Sequence, residues 1–219
     1  ILTNSYFSRE NILAAYGLNS KVVHLGGDSF QNIRQSHKSH KQNTIISIGA
    51  INGLKGYDFI IRSLGTIEMN KRPKFLIIGN ATSKFYLKNI QYLADELSVE
   101  LNIFEHITDD KLSYLIQKST LFVYAPYLEP LGLAPLEAMS FGLPVVAVKE
   151  GGPRESIVDG VNGFLVDRNP IEFGKMISLI NEDSSLKEKL SIGARECIKT
   201  YWNWDMSFER LCLSITPDN

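Results

Sequence analysis

The sequence predicts an α/β protein built on a Rossmann-like, doubly wound parallel sheet. Three observations predict it. From Thr44 onward, short apolar runs alternate with longer helix-compatible ones, the pattern of repeated strand–helix units. The runs Leu121–Ala125 and Val145–Val148 carry no polar alternation, so both faces of those strands are expected to be covered by helices. Glycines follow several strand segments, at Gly49, Gly79 and Gly151–Gly152, where the chain must turn tightly.

Taken in order, Asn4–Ser5 reads as a strand end and Ser8–Tyr16 as a helix closed by Gly17, a residue suited to a left-handed cap. Lys21–Leu25 is a short strand running into Gly26–Gly27, and His24 within it is a structural histidine in an apolar context. The polar stretch Gln31–Asn43 holds His37, Lys38, His40 and Lys41 without Cys or acid partners at metal-ligand spacing, so it reads as a solvated loop. Strands then follow at Thr44–Ile48, Lys74–Ile78, Leu101–Phe104, Leu121–Tyr124, Val145–Val148 and near Phe164–Val166. Helices fall at Gly56–Ile67, Ser83–Ser98, Asp109–Lys118, Pro135–Phe141, Ile171–Asn181, Leu186–Thr200 and Asp205–Ser214. Ligands in such sheets bind at the carboxyl ends of the strands, so the loops after each strand are the sites to inspect.

Composition excludes several classes. The chain has 219 residues and a net charge of -1, with no global basic excess to suggest a nucleic-acid partner. No run of about 18 apolar residues suggests a transmembrane helix. The opening Ile1-Leu-Thr-Asn-Ser-Tyr6 is neither a signal peptide nor an initiating Met, and the segment is expected to begin inside a longer protein. Cys197 and Cys212 read as two reduced, half-buried thiols, which fits a cytoplasmic setting.

The chemistry concentrates in Glu129-Pro-Leu-Gly-Leu-Ala-Pro-Leu-Glu137-Ala-Met139. Two carboxylates flank a glycine-containing strand-to-helix turn, and Pro135 near the first helical turn removes no needed donor. Such a helix start attracts anions through its unpaired amides and positive dipole end. Two acids there would repel a bare phosphate unless each has its own partner. A sugar nucleotide satisfies both needs, with phosphate oxygens for the amides and hydroxyls for the acids. The plain alternative is a pair of solvated acids near a helix N-terminus. Earlier, Gly49-Ala-Ile-Asn-Gly-Leu-Lys55-Gly56 places a lysine at the exit of a glycine-rich turn, where its ammonium can meet phosphate oxygens.

The stretch Glu129–Glu137 resembles the E-x7-E signature of retaining glycosyltransferases of the GT-B type, the "group 1" family. The likeness extends through Gly142-Leu-Pro-Val-Val-Ala147, Gly151-Gly-Pro-Arg-Glu155 and Asp159-Gly-Val-Asn-Gly-Phe-Leu-Val166, and covers most of the chain from about Lys21. It implies the C-terminal half of a GT-B fold. Residues 1–20 would be a remnant of the N-terminal acceptor domain, 21–202 the donor-binding domain, and 203–219 the helix that crosses back. Glu129 would bond the donor sugar's hydroxyls, and amides around Leu131, Gly132 and Leu133 would hold the diphosphate. Glu137 would accept the ribose hydroxyls, and Lys55 would neutralise the leaving diphosphate beside Gly49. His106 and Ile107, in the loop Glu105–Asp110, would lie against the nucleobase. The family usually carries an Arg where this chain has Ala50, and Arg154 is one candidate to replace it. Pro153, Arg154 and Glu155 either line the cleft or shape it. Trp202 and Trp204 read as packing anchors, and a missing N-terminal domain would leave apolar surface exposed near Trp202, Trp204 and Phe208.

The resemblance implies no cofactor beyond a nucleotide-diphospho-sugar as substrate. No Asp-x-Asp occurs in the chain, and Asp109–Asp110 is not such a motif, so metal dependence is not expected. The acceptor would be a glycan or lipid-linked sugar, with peripheral association at the inner face of a membrane. Hydrolysis is disfavoured. Glycosidase carboxylates stand about 5–9.5 Å apart, whereas eight helical steps separate Cα atoms by about 12 Å. Two alternatives stay open: a nucleotide-sugar binding module without activity, and a GT-B-like sugar-nucleotide epimerase.

Overall fold

The computed structural model describes residues 1–28, 43–80 and 82–216. The polar stretch with His37, Lys38, His40 and Lys41 therefore lies outside the described residues. Six strands form one parallel sheet: β3 (Thr44–Ile48), β4 (Lys74–Gly79), β5 (Leu101–Glu105), β6 (Leu121–Tyr124), β7 (Val145–Val148) and β8 (Gly163–Val166), ordered β5-β4-β3-β6-β7-β8. The order reverses between β3 and β6, which opens a crevice at the carboxyl edge of the sheet.

Helices cover both faces, and each face has its own apolar core. One core packs α2 (Tyr57–Gly65), α3 (Lys84–Glu96) and α7 (Pro170–Glu182) on side chains such as Ile45, Phe75, Ile77 and Val146. The other packs α4 (Asp109–Lys118), α5 (Leu133–Ser140) and α8 (Ser184–Thr200) on Ile46, Phe122, Tyr124 and Val145. Strands β6 and β7 are buried at every position, which explains why their sequences lack polar alternation. Side-chain caps fix most helix starts: Ser83, Thr108, Asn169, Asp183 and Asn203 each accept a first-turn amide.

Element edges differ from the sequence expectations for identifiable reasons. The first strand, β1, is Leu2–Thr3 rather than Asn4–Ser5, because Ser5 caps α1 (Tyr6–Tyr16) by accepting from Ser8 N. The strand expected over Lys21–Leu25 shortens to β2, Lys21–Val22, which pairs in parallel with β1. Helix α5 begins at Leu133, two residues before Pro135, which still lies in the first turn where no donor is required. A 3-10 turn, η1 (Gly53–Lys55), and a short helix, α6 (Pro153–Ser156), were not anticipated. The last helix, α9 (Trp204–Ile215), lies along the β1–β2 pair: Lys21 Nζ donates to Ser214 O at 3.3 Å, and Trp204 N to Asp28 Oδ1 at 2.9 Å.

Trp202 is 3% exposed with its ring 4.7 Å from that of His24, so it is a buried anchor and not part of an open apolar surface. Trp204 and Phe208 are exposed, at 44% and 66%. His24 is structural, as its apolar context implied: its ring nitrogens meet Glu155 Oε2 at 2.8 Å and Tyr201 Oη at 2.9 Å. Both cysteines are free thiols, half-buried on α8 and α9. Among the described residues, no helix is long and apolar enough to cross a membrane.

Arg72 ties the carboxyl ends of two helices. Its guanidinium donates to Gly65 O (3.1 Å) and Ile67 O (2.9 Å) below α2, and to Leu97 O (2.5 Å) and Ser98 O (2.8 Å) below α3. A fixed cation there satisfies terminal carbonyls and complements both helix dipoles. Arg72→Met is expected to lower the unfolding free energy by about 2–3 kcal/mol. Arg72→Lys should recover only part of it, since a point ammonium cannot span four carbonyls. Denaturant titration of both variants checks this, and a loss below about 0.5 kcal/mol for the Met variant would contradict it.

Candidate functional site

The loops at the carboxyl ends of β3, β6 and β7 converge. After β3 the chain turns through Gly49, and Tyr57 Oη donates to Gly49 O at 2.9 Å. Asn52 caps η1 by accepting from Leu54 N at 3.0 Å, which sets Lys55 at the turn's exit. Gly56 follows with φ +66°, and a Cβ there would stand 2.0 Å from Ala125 O, so only glycine lets this turn meet the loop after β6. Tyr127 N donates to Leu54 O at 2.9 Å and fastens the two loops together.

Across that seam Lys55 Nζ meets Glu129 Oε2 at 2.6 Å, with both side chains about one-fifth exposed. The sequence marked both residues but not their pairing. Tyr124, at the end of β6, adds a third member: burial pushes its phenol up, and the Glu129 carboxylate beside it does so further. This residue was missed. A tyrosine inside a fully buried strand needs a partner for its hydroxyl, and that was the available signal.

Gly132 has φ +86° and turns the chain into α5, which has no side-chain cap. Among the described residues, the first-turn amides at Leu133 and Ala134 therefore have neither an intrahelical nor a capping acceptor. Leu131 is buried and anchors the loop in the core, while Leu133 is 38% exposed. Glu137, one turn into α5, is half-buried. Burial pushes its carboxyl above the ordinary range, and among the described residues it has no hydrogen-bond or ion-pair partner. One acid of the motif is thus satisfied and the other is not.

The loop after β7 supports the motif from behind. Gly152 N donates to Glu129 O at 2.8 Å. A Cβ on Gly151 would stand 2.4 Å from Glu129 O, and one on Gly152 2.1 Å from Pro130 O. These glycines shape the cleft by letting two backbones touch. Arg154 is exposed, and its Nε donates to Gly151 O at 3.0 Å. Glu155 accepts from Tyr6 N and Phe7 N, both at 2.9 Å, as well as from His24. Burial alone would raise its carboxyl, but those three bonds hold it below the ordinary range.

The loops after β4 and β5 complete the rim. A Cβ on Gly79 would stand 2.1 Å from Gly49 O, so these loops also abut. His106 is exposed with φ +53°, and its amide donates to Asn80 Oδ1 at 3.1 Å. Ile107 instead packs its side chain against the α4–α5 core, leaving only its backbone near the rim. Among the described residues, no group of three His, Cys, Asp or Glu could hold a metal ion.

A doubly wound sheet whose carboxyl-edge loops converge at the switch point is an α/β fold whose ligand crevice lies at that edge. Within that class the chain belongs to the family described as "Glycosyl transferases group 1", whose model matches residues 28–197. It is 28% identical over 149 residues to the human alpha-1,3/1,6-mannosyltransferase ALG2, covering 64% of this chain and 36% of that protein. It is 27% identical over 167 residues to an uncharacterized glycosyltransferase of Methanocaldococcus jannaschii, covering 75% of this chain and 42% of the other. The chain therefore spans less than half the length of these relatives. Among solved structures, Anabaena HepE in complex with UDP-glucose superposes with a TM-score of 0.84 at 20% identity, over 98% of this chain and 62% of that one. The C-terminal domain of a group 1 glycosyl transferase from Francisella tularensis gives a TM-score of 0.65 at 24% identity, over 75% and 88%. These likenesses show the fold, a Rossmann-like doubly wound sheet of the kind found in the C-terminal half of GT-B glycosyltransferases.

Proposed function

We propose that this chain is the donor-binding part of a retaining glycosyltransferase, which moves a sugar from a nucleotide-diphospho-sugar to a glycan or lipid-linked acceptor. The observation that carries the reading is the Lys55–Glu129 pair, 2.6 Å apart, beside the uncapped start of α5 and the unpartnered Glu137. In this reading the α5 amides and Lys55 take the diphosphate, Glu137 accepts the ribose hydroxyls, and Glu129 bonds the sugar's hydroxyls. The nucleobase lies against the backbone of His106 and Ile107. Charge that builds on the departing diphosphate falls on donors already aimed at it, the arrangement that stabilises a leaving anion most. Departure and acceptor attack then occur on the same face of the sugar.

Residues 1–20 and the helix from 203 belong, in this reading, to the junction with an acceptor-binding domain, 21–202 being the donor domain. The work takes place at the cytoplasmic face of a membrane, with the donor as substrate, no further cofactor and no nucleic-acid partner. Support comes from the family match and from the UDP-glucose held in the Anabaena HepE structure.

Calorimetric titration with UDP, GDP and ADP, and with their glucose and mannose conjugates, tests the donor site. One nucleotide is expected to bind, and Glu137→Ala should weaken it at least tenfold. Glu129→Ala should leave the free nucleotide within twofold and weaken only the sugar conjugate. Equal losses of both ligands in both variants would sink the division of roles, and no binding by the unaltered chain would sink the donor-site reading itself.

A further inference from the structure

Arg168 lies just after β8, at Asp167–Asn169, where nothing in the local sequence suggests a role in the cleft. Its guanidinium is nevertheless committed on every side. Nε and Nη2 form a fork on Glu150, at 2.7 Å to Oε1 and 2.8 Å to Oε2. Nη1 donates to Ala125 O at 3.0 Å, and Nη2 also donates to Pro126 O at 2.8 Å. The guanidinium carbon lies 3.9 Å from the Tyr127 ring centroid and 5.3 Å from that of Phe59 on α2. The hydrogen bond from Arg168 holds the Glu150 carboxyl below its ordinary range despite partial burial.

These contacts join the exits of β6, β7 and β8 at one point. The carbonyls of Ala125 and Pro126 belong to the chain that leads through Tyr127 into Leu128 and Glu129. Leu128 has φ +49°, in the left-handed region that a leucine enters only when its surroundings fix it there. Glu150, the other end of the fork, leads directly into Gly151–Gly152, whose backbone holds Glu129 O. Arg168 thus grips the loop of Glu129 from both of its attachments.

We propose that Arg168 is a positioning residue that sets the Glu129 loop, and through Tyr127 and Leu54 the Lys55 turn, in the register that brings the two charges together. It touches neither carboxylate nor ammonium of that pair. It acts by fixing the two backbones that carry them, and a planar five-donor fork suits this where a lysine does not. The proposal rests on the donor-site reading only for its consequence in binding, since the clamp itself can be tested without ligand.

The test uses the whole chain with Arg168→Met and Arg168→Lys. Amide hydrogen exchange would be followed at Tyr127, whose N–H bonds Leu54 O, and at Gly152, whose N–H bonds Glu129 O. Both variants are expected to lose at least tenfold protection at these two amides while Ile77 and Val146 in the central strands keep theirs. A resonance shift of the 13C-labelled Glu129 carboxyl should accompany the loss. Where UDP or GDP binds the unaltered chain, the variants should weaken the glucose or mannose conjugate at least fivefold more than the free nucleotide. Unchanged exchange at Tyr127 and Gly152 in either folded variant overturns the proposal. So does an Arg168→Met chain that unfolds while Arg168→Lys matches the unaltered protein, because then only charge near Glu150 matters.

Discussion

Glu137→Gln should make the ligand-free chain more stable and the nucleotide complex weaker. The carboxylate is half-buried and, among the described residues, has no ionic or hydrogen-bonding partner, and burial raises its pKa. A raised acid pKa means that the folded state holds this proton more tightly than the unfolded chain does. Stability therefore declines as pH rises from the unfolded value through the folded one, and the full deficit remains above it. Glutamine abolishes that deficit at neutral pH, and the two proteins should converge below the unfolded pKa. A gain of roughly 0.5–1 kcal/mol is expected at pH 7. Binding should move the other way, by at least tenfold, because glutamine replaces a double acceptor with a single one. Thermal unfolding at pH 7 and pH 3.5, with titration of the nucleotide, checks both signs. A variant less stable at pH 7 than at pH 3.5, relative to the unaltered chain, would mean that Glu137 has a stabilising partner.

The second large effect is steric. Gly152 has ordinary helical dihedrals, φ -67° and ψ -27°, so alanine meets no backbone strain there. Its Cβ would instead stand 2.1 Å from Pro130 O and 2.5 Å from Leu131 Cα, atoms that cannot swing away as a side chain does. Gly152→Ala must push the loop after β7 off the Glu129 turn and stretch the Gly152 N–Glu129 O bond. A loss of about 3 kcal/mol or more is expected. Gly160→Ala is the converse control: it has a left-handed φ, +70°, but nothing lies within 4 Å of its Cβ. Its cost should be about 1–2 kcal/mol, the price of the conformation alone. Denaturant unfolding of the two variants separates contact from conformation, and equal losses would show that close approach is not what Gly152 provides.

The sheet and its helices were legible because burial on both faces of a parallel sheet leaves an unmistakable mark on strands such as Leu121–Tyr124 and Val145–Val148. Helix starts were less so: Ser5 looked like the end of a strand and is a cap, which moved α1 by two residues. In the site, Glu129, Glu137 and Lys55 were readable as residue types at telling places. That Lys55 pairs with Glu129, 74 positions away, was not, because turn chemistry is local and this contact depends on how β3 and β6 come to lie side by side. Tyr124 was hidden by its apolar neighbours. Arg168 and Glu150 were hidden for the opposite reason: each looks like an ordinary surface charge until the sheet brings their loops together.

Lys55 and Glu129 neutralise each other across the cleft. Entry of an anion is therefore an exchange, in which phosphate oxygens must take the ammonium from a carboxylate already 2.6 Å away. In the proposed donor site, an anion without a hydroxyl to offer would leave that carboxylate, about one-fifth exposed, without its partner. A ligand that brings hydroxyls along with its phosphates satisfies both halves of the broken pair. In the proposed donor site, a nucleotide sugar would thus be favoured over a small anion by what the pair demands in return.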